Sequence, residues 1–306
     1  MIQSNNLLGH DNIFSHLINL YSKKILPNKI IFTGKKGVGK YLLAKHFVNY
    51  IYSTQEKNKY NLADLTINEN NKSSILFQNN SHPNIFKIYK KKEKKNIEIS
   101  QIREMIKFQN KSSFNNNIRT IIIDDSEYLN LNSSNALLKS IEEPHNDILF
   151  ILINNIERQV LDTLKSRCIN FKIILKPENI KQIVNNYFND NLYDSISKDY
   201  LNSYNSPGFL ISLIIFMKEN KIDFESSKIE KLLFNIIKNK LYIKNTFIYE
   251  NLSYFVELFF YKNINYSSKL SFKIKDYFYF KLAESIKYNL DLDSLFLEIE
   301  EKLLSE

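Results

Sequence analysis

The chain has 306 residues, a net charge of +9 at pH 7 and 43% hydrophobic residues. This length and hydrophobic content exclude a wholly disordered chain and allow two or three domains with their own cores. The single cysteine, Cys168, excludes an internal disulfide and a cysteine-based zinc site. The sequence shows neither a run of about 18 apolar residues nor a signal-peptide pattern, so we expect a cytoplasmic protein that does not enter a membrane.

The surplus of positive charge has two explanations that the sequence leaves open. It would suit an acidic partner such as nucleic acid, or it could reflect the abundance of Lys, Asn, Ile and Tyr that an AT-rich genome produces. The run KKKEKK at residues 90–95 is similarly either a solvated turn between strands or a turn that contacts DNA. Charge alone therefore assigns no function.

Short apolar strands alternate with helices in the first part of the chain, and this pattern predicts a parallel sheet covered by helices. The predicted strands are residues 30–33, 85–89, 119–124 and 149–154, with residues 171–175 as a candidate fifth. Helical stretches between them include residues 42–50 and 134–143. The fold class expected for this part is α/β.

Beyond about residue 176 the strand signal fades and helices take over. Pro177 begins a helical stretch, NSPG at residues 205–208 interrupts it, and amphipathic helices follow. The last helix carries an apolar face formed by Leu292, Leu295, Phe296, Ile299 and Leu303. We predict three pieces: an α/β domain (1–175), a small helical domain (176–222) and a helical C-terminal domain (223–306).

Three of the five glycines, Gly34, Gly37 and Gly39, lie together in GKKGVGKY at residues 34–41, between a predicted strand and a predicted helix. Strand, glycine loop, Lys40 and helix form the arrangement of a phosphate-binding P-loop. That pattern requires Ser or Thr after the lysine to place a hydroxyl on Mg²⁺, but this chain has Tyr41. A phenol oxygen lies too far from the backbone to fill that position, so the loop is suited to phosphate and poorly equipped for metal-assisted hydrolysis.

A second candidate constellation is IIIDDSE at residues 121–127, an apolar strand that ends in carboxylates. Beside a P-loop, Asp124 would orient Mg²⁺ or its water shell, and Asp125 could polarise an attacking water. The alternative is that both acids only end a strand and begin a turn. The glycine loop upstream favours the nucleotide-site interpretation.

These features, with NALLKSIEEP at residues 135–144 and SRC at 166–168, resemble bacterial clamp-loader subunits of the AAA+ class. LGH at 8–10, SHPN at 81–84 and IEISQIR at 97–103 are similar to the delta-prime family of DNA polymerase III subunits. The resemblance covers about residues 6–210, and the C-terminal third matches only in length and helical character. It implies that the three pieces are a P-loop AAA+ domain, a helical lid and a helical collar.

The resemblance also implies partners and a role for Arg167. Family members form five-subunit rings with gamma/tau motor subunits and a delta subunit, which use ATP to place a sliding clamp on primed DNA. In such rings the arginine of Ser-Arg-Cys acts in trans on the ATP of a neighbour, where it neutralises charge that develops during phosphoryl transfer. The alternative is that Arg167 makes an ion pair within the chain. Ser166 and Cys168 would position the arginine, and we do not expect Cys168 to be a nucleophile.

Delta-prime members do not hydrolyse ATP, and two residues here agree with that. Tyr41 replaces the metal-binding hydroxyl, and Phe209 in SPGF at residues 206–209 replaces an arginine that would contact nucleotide from the lid. Asn154 and Asn155 stand where the family keeps a polar residue that senses the γ-phosphate. We therefore expect no ATPase activity and no required cofactor, with passive binding of ATP or ADP left open.

Two further expectations complete the sequence interpretation. Many relatives carry a four-cysteine zinc module, and we expect residues 54–80 to take its place without a metal. The alternatives to a non-hydrolysing scaffold subunit are an ATP-hydrolysing motor subunit of the gamma/tau kind and a DNA-binding module with a steep salt dependence.

Overall fold

The computed structural model describes residues 5–91, 93–111, 118–143, 147–158, 160–201, 205–223, 228–263, 269–288 and 290–299. It divides into two compact units, one of residues 1–186 with 206–209 and one of residues 187–205 with 210–306. The three-domain division expected from the sequence stays a prediction. None of the described helices is both long and apolar enough to cross a membrane.

The first unit alternates strands and helices. Its elements are α1 (Asp11–Ser22), β1 (Lys29–Gly34), α2 (Lys40–Ser53), α3 (Lys72–Gln78), β2 (Ile85–Ile88), α4 (Ile99–Gln109), β3 (Arg119–Ile123), a 3₁₀ turn (Ser126–Tyr128), α5 (Leu131–Glu142), β4 (Ile148–Asn155), α6 (Asp162–Lys165), β5 (Ile169–Lys172) and α7 (Pro177–Phe188), whose last two residues belong to the second unit.

The five strands form one parallel sheet in the order β2-β3-β4-β1-β5. The strand β1 therefore lies between β4 and β5, and the loops that follow β1, β3 and β4 leave the sheet at the same edge. In open parallel sheets, ligands bind at this carboxyl edge, where the strand order reverses. The sheet thus places the glycine loop, the acidic turn and Asn154 along one edge.

Helices cover the sheet, which explains why its central strands are almost continuously apolar. All five residues of β3 are buried, as are the first seven of β4. On one side, side chains of β1, β3 and β4 pack with Ile102 and Met105 of α4 and with Leu137 and Ile141 of α5. Helix α2 contacts β1 and β4.

Side-chain caps fix where several helices begin. Asn71 and Asn130 accept hydrogen bonds from the N–H groups of Ser74 and Ser133, each at 2.8 Å, at the starts of α3 and α5. Glu98 and Gln101 form a capping box at the start of α4. Each cap satisfies backbone donors that a helix leaves unpaired at its first turn.

The second unit is helical throughout its described part. It contains α8 (Leu192–Ser195), α9 (Lys198–Leu201), most of α10 (Pro207–Glu219), α11 (Ile229–Lys238), α12 (Leu241–Lys244), α13 (Thr246–Glu250), α14 (Leu252–Asn263), α15 (Lys269–Tyr288) and α16 (Leu292–Ile299).

Aromatic contacts hold these helices together. Phe260 stacks on Phe278 at 6.1 Å between ring centroids, and Tyr242 packs on Phe296 at 4.9 Å. The described part of the predicted last amphipathic helix is α16, and Leu303 of its predicted apolar face lies outside the described residues.

The strand predictions agree with the sheet to within one or two residues, except the fifth. It runs from Ile169 to Lys172, earlier than residues 171–175, because it pairs with β1 only as far as Thr33, where β1 turns into the glycine loop. One other expectation was wrong in part. The lysine-rich run lies between β2 and α4 rather than between two strands.

Candidate functional site

The glycine loop leads from β1 into the first turn of α2. Gly37 and Gly39 have φ angles of 85° and 90°, in the left-handed region that disfavours residues with side chains. Gly39 is the N-cap of α2, so the N–H groups of the first helical turn point out of the helix end beside the loop. This backbone is suited to bind an anion.

Lys40 is only 7% exposed, and its ammonium is directed at the loop itself. Its Nζ donates to the carbonyl oxygens of Gly34 at 2.8 Å and Lys35 at 2.7 Å. Burial lowers the pKa of Lys40, while the nearby carboxylates, Glu127 first and then Asp124, oppose that shift. The ammonium therefore stabilises the conformation of the loop. A phosphate would have to compete with two carbonyl oxygens for its hydrogen bonds.

Tyr41 follows the lysine, and its ring is half-buried at 6.4 Å from that of Phe77 in α3. Burial, with smaller effects of Asp124 and Tyr89, raises the pKa of the Tyr41 phenol to about 12. The side chain thus packs as an aromatic group and carries no short hydroxyl at the position where Mg²⁺ would be bound.

The acidic turn after β3 combines a strained backbone with a buried carboxyl group. Asp125 has a φ angle of 54°, and its N–H donates to Oδ1 of Asp124 at 3.0 Å. Burial raises the pKa of Asp124 to about 7, with a further contribution from the charge of Asp125. Burial thus disfavours the charged form of the Asp124 carboxyl.

Hydrogen bonds tie the acidic turn to the end of β4. Ser126 Oγ donates to the carbonyl of Ile153 at 2.9 Å, and Glu127 Oε2 accepts from the N–H of Asn155 at 3.1 Å. Burial raises the pKa of Glu127, and the hydrogen bond from Asn155 opposes the shift. The loops after β3 and β4 consequently form one linked edge.

The two asparagines at the end of β4 behave differently. Asn155 turns toward Glu157, whose N–H donates to Asn155 Oδ1 at 3.3 Å. Asn154 is 3% exposed, and its Oδ1 has no hydrogen-bond partner among the described residues. An orphaned buried acceptor needs a donor, so Asn154 is the better placed of the two to sense a ligand or a water.

Two contacts on the glycine loop were missed by sequence reasoning. Ser206 Oγ donates to the carbonyl of Lys36 at 2.6 Å, and the N–H of Gly208 donates to the carbonyl of Gly37 at 3.1 Å. A Cβ on Gly208 would lie 2.8 Å from Gly37 Cα, so the two backbones touch. The SPGF segment therefore lies against the loop, and Phe209, the third residue of α10, supplies no cation there.

A third missed contact comes from the start of the chain. His10 is 3% exposed, and its Nε2 lies 2.8 Å from the carbonyl of Val38. Burial lowers the pKa of His10, so the neutral ring donates this hydrogen bond. LGH at residues 8–10 was used only as a family marker, and no signal in the sequence pointed to a contact with the loop.

Arg167 lies away from this edge, at the turn between α6 and β5, and is exposed. Its Nη2 pairs with Glu142 Oε1 at 2.6 Å, and its Nη1 donates to the carbonyl of Thr163 at 2.9 Å. The ion pair within the chain that the sequence left open as an alternative is thus present. Both side chains are about half exposed, at 40% and 51%, so the pair is a surface contact that another anion could displace.

The neighbouring Cys168 is buried, and burial raises the pKa of its thiol to about 11. A protonated, buried thiol is a poor nucleophile, which fits a packing role. Pro144, the last residue of the NALLKSIEEP stretch, lies outside the described residues, whereas Asn135 to Glu143 form most of α5 and its end.

Hydrogen bonds connect distant parts of residues 54–80. Glu56 accepts from the N–H groups of Lys72 and Ser73, at 2.8 and 3.0 Å, and from Ser73 Oγ. Asn71 donates to the carbonyl of Asn58 at 2.9 Å. Across the described residues, no three His, Cys, Asp or Glu side chains come together in a way that could hold a metal ion.

The site residues fit a phosphate better than they fit hydrolysis of a magnesium nucleotide. The glycine loop, the end of α2 and the orphaned Asn154 oxygen are suited to an anionic ligand. However, Tyr41 offers no short hydroxyl for the metal, and the Lys40 ammonium is held by the loop carbonyls.

Comparisons with known proteins show which family the chain resembles. A family model described as DNA polymerase III, delta subunit, matches residues 9–177, more than half of the chain. A DNA polymerase III subunit delta' of Pseudomonas aeruginosa is 28% identical over 136 residues, which are 44% of this chain and 40% of that protein. The subunit delta' of Buchnera aphidicola subsp. Baizongia pistaciae is 24% identical over 259 residues, 78% of this chain and 76% of that one.

A solved structure supports the fold. A DNA polymerase III gamma subunit-related protein from Thermotoga maritima superposes with a TM-score of 0.51 at 17% identity, covering 92% of this chain and 96% of that chain. The parallel sheet and the helical C-terminal part are those of an α/β AAA+ protein, as the sequence predicted.

Proposed function

The chain belongs to the DNA polymerase III delta subunit family, and on that basis we propose that it is a non-hydrolysing subunit of a clamp loader. It completes a ring with gamma/tau motor subunits and a delta subunit, and the ring loads a sliding clamp onto primed DNA. Its contribution to ATP hydrolysis is Arg167, given in trans to ATP on the neighbouring subunit. The observation that supports this is an exposed Arg167 in a chain whose own P-loop is poorly suited to hydrolysis.

The chemistry of Arg167 suits this role. A guanidinium neutralises charge on the transferred phosphoryl group and can hold two oxygens at once. In the single chain Glu142 and the Thr163 carbonyl hold the side chain in one place. A surface ion pair contributes only about 0–1 kcal/mol, so a triphosphate with several charges can take the guanidinium from Glu142 at little cost.

The chain's own P-loop lacks two requirements for turnover. Tyr41 offers no short hydroxyl for the metal, and Phe209 gives no cation from the SPGF segment. These features lie on different sides of the loop, so one substitution would not restore activity. Nucleotide can still bind passively, because the glycines and Lys40 are in place.

ATP hydrolysis by the reconstituted clamp loader, with clamp and primed DNA, tests the proposal. Arg167→Ala should lower turnover of the complex by roughly tenfold or more, and Arg167→Lys should restore little, because it keeps the charge but loses the planar fork. Lys165→Ala, which removes a cation two residues away on the same turn, is the matched control and should leave turnover unchanged.

The chain alone is measured in parallel. No turnover above background is expected from it. Turnover by the isolated chain, together with an Arg167→Ala complex of normal activity, would contradict the proposal and identify a motor subunit of the gamma/tau kind. Binding of the isolated chain to primed DNA, falling steeply with salt, would instead favour a DNA-binding module.

A further inference from the structure

Arg167 has two partners within the chain, and both lie at the carboxyl ends of helices. Its Nη2 pairs with Oε1 of Glu142, the last residue of α5, at 2.6 Å, and its Nη1 donates to the Thr163 carbonyl of α6 at 2.9 Å. The last carbonyl groups of a helix have no partner within it and carry partial negative charge. The guanidinium is therefore held by a carboxylate and a carbonyl oxygen, each at the negative end of a helix.

The two partners differ in what they lose when the guanidinium leaves. Ser166 Oγ also donates to the Thr163 carbonyl, at 3.1 Å, so this oxygen keeps a hydrogen bond without Arg167. The Glu142 carboxylate has no second ion pair or hydrogen bond among the described residues, and its side chain is 51% exposed. Water can replace the guanidinium there, but the negative charge remains beside it. Glu142 is thus the partner whose attraction Arg167 has to give up.

ATP on a neighbouring subunit would compete with Glu142 for the same guanidinium. The carboxylate and the phosphates both offer anionic oxygens, and the planar guanidinium can present two N–H groups side by side to either of them. When Arg167 moves to the triphosphate, the Glu142 carboxylate is left close to another anion, and like charges repel. Both effects oppose transfer of the guanidinium to ATP.

We propose that Glu142 is a positioning residue that holds Arg167 within the chain and limits its availability to the neighbour's ATP. This inference rests on the proposed action of Arg167 in trans. At low ATP concentration the guanidinium stays with Glu142, and at saturating ATP the triphosphate takes it. Glu142 therefore acts mainly on the KM for ATP, whereas Arg167 acts on turnover. The effect is modest, because a surface ion pair is weak.

ATP hydrolysis by the reconstituted clamp loader, with clamp and primed DNA, tests this division of roles. Glu142→Gln should raise kcat/KM for ATP about two- to fivefold, mainly through a lower KM, as expected for removal of a competing surface ion pair. Glu143→Gln, which removes the same charge from the next exposed residue, is the matched control and should leave the KM unchanged. In an Arg167→Ala background, Glu142→Gln should have no effect, because the guanidinium that it holds is absent.

Chemical modification of the isolated full-length chain tests the holding contact without the ring. Phenylglyoxal reacts with accessible guanidinium groups, and mass spectrometry follows each arginine separately. Arg167 should react about two- to fivefold faster in Glu142→Gln than in the wild type, because the ion pair no longer protects it. The exposed Arg103 of α4 should react equally in both chains. The melting temperature of each variant shows whether it is folded.

These experiments separate the inference from the proposed function. Normal turnover of the Arg167→Ala complex would refute the action of Arg167 in trans, and this inference with it. Reduced turnover of that complex, beside an unchanged KM in Glu142→Gln, would overturn only the positioning role of Glu142. Equal modification of Arg167 in both chains would overturn it as well, and so would an equal gain from Glu142→Gln in the Arg167→Ala background.

Discussion

Replacing Asp124 by Asn should make the protein more stable at neutral pH but not at pH 4. The native pKa of Asp124 is about 7 against an ordinary value of 3.8, mainly because the carboxyl is buried. Between these two values the native state holds more protons than the unfolded chain, so the free energy of unfolding falls as the pH rises. A difference of about three pKa units corresponds to about 4 kcal/mol, lost in full above pH 7.

The Asn side chain removes this loss because it stays neutral at every pH and keeps an oxygen that can accept from the N–H of Asp125. Urea unfolding of both proteins at pH 4, 5, 6, 7 and 8 should therefore give a stability difference that grows from near zero to several kcal/mol. Asp162→Asn, at a fully exposed carboxylate, is the control for a general change in net charge. A difference between Asp124→Asn and the wild type that stays constant from pH 5 to 8 would refute the reasoning.

Three more predictions concern packing. Gly208→Ala gains helix propensity of about 1 kcal/mol, but its Cβ would lie 2.8 Å from Gly37 Cα. Thermal unfolding should therefore show a net loss of stability of about 1–2 kcal/mol. A gain in stability would show that the two backbones can separate freely. Arg119→Met should lower the free energy of unfolding in urea by about 2–4 kcal/mol. The reason is that the buried guanidinium donates hydrogen bonds to the carbonyls of Phe108 and Gln109 at the end of α4. A loss of less than about 1 kcal/mol would contradict this prediction. Cys168 should react with iodoacetamide far more slowly in the native protein than in urea, since its thiol is buried with a pKa of about 11; equal rates would show that it is accessible.

The sequence was sufficient to predict those parts of the structure that depend on residues close together in the chain. The central strands are continuous apolar runs, the glycine loop stands between a strand and a helix, and Pro177 marks the start of α7. The predicted position of β5 was less accurate, because the end of an edge strand depends on where its pairing with the neighbouring strand ends. Here that neighbouring strand is β1, whose pairing with β5 ends at Thr33, and no local signal in residues 169–175 reports this.

Contacts between distant segments could not be read from the sequence. Gly208 meets Gly37 across 171 positions, His10 reaches the carbonyl of Val38, and Glu142 pairs with Arg167. Each contact depends on the order of the strands and the direction of the helices.

The glycines of the P-loop do not by themselves show that a nucleotide binds. A Cβ on Gly34 would lie 2.5 Å from the carbonyl oxygen of Ile173, and one on Gly37 would lie 2.7 Å from Ser206 Oγ. Gly39 has a left-handed φ and lies against His10. These positions require glycine for the fold alone, whether or not phosphate is present.

Evidence for a ligand must therefore come from a group with no structural partner. Among the described residues at this edge of the sheet, that group is Oδ1 of Asn154. Asn154→Leu should accordingly weaken any nucleotide binding, whereas Lys40→Ala would disturb the loop as well as the ligand.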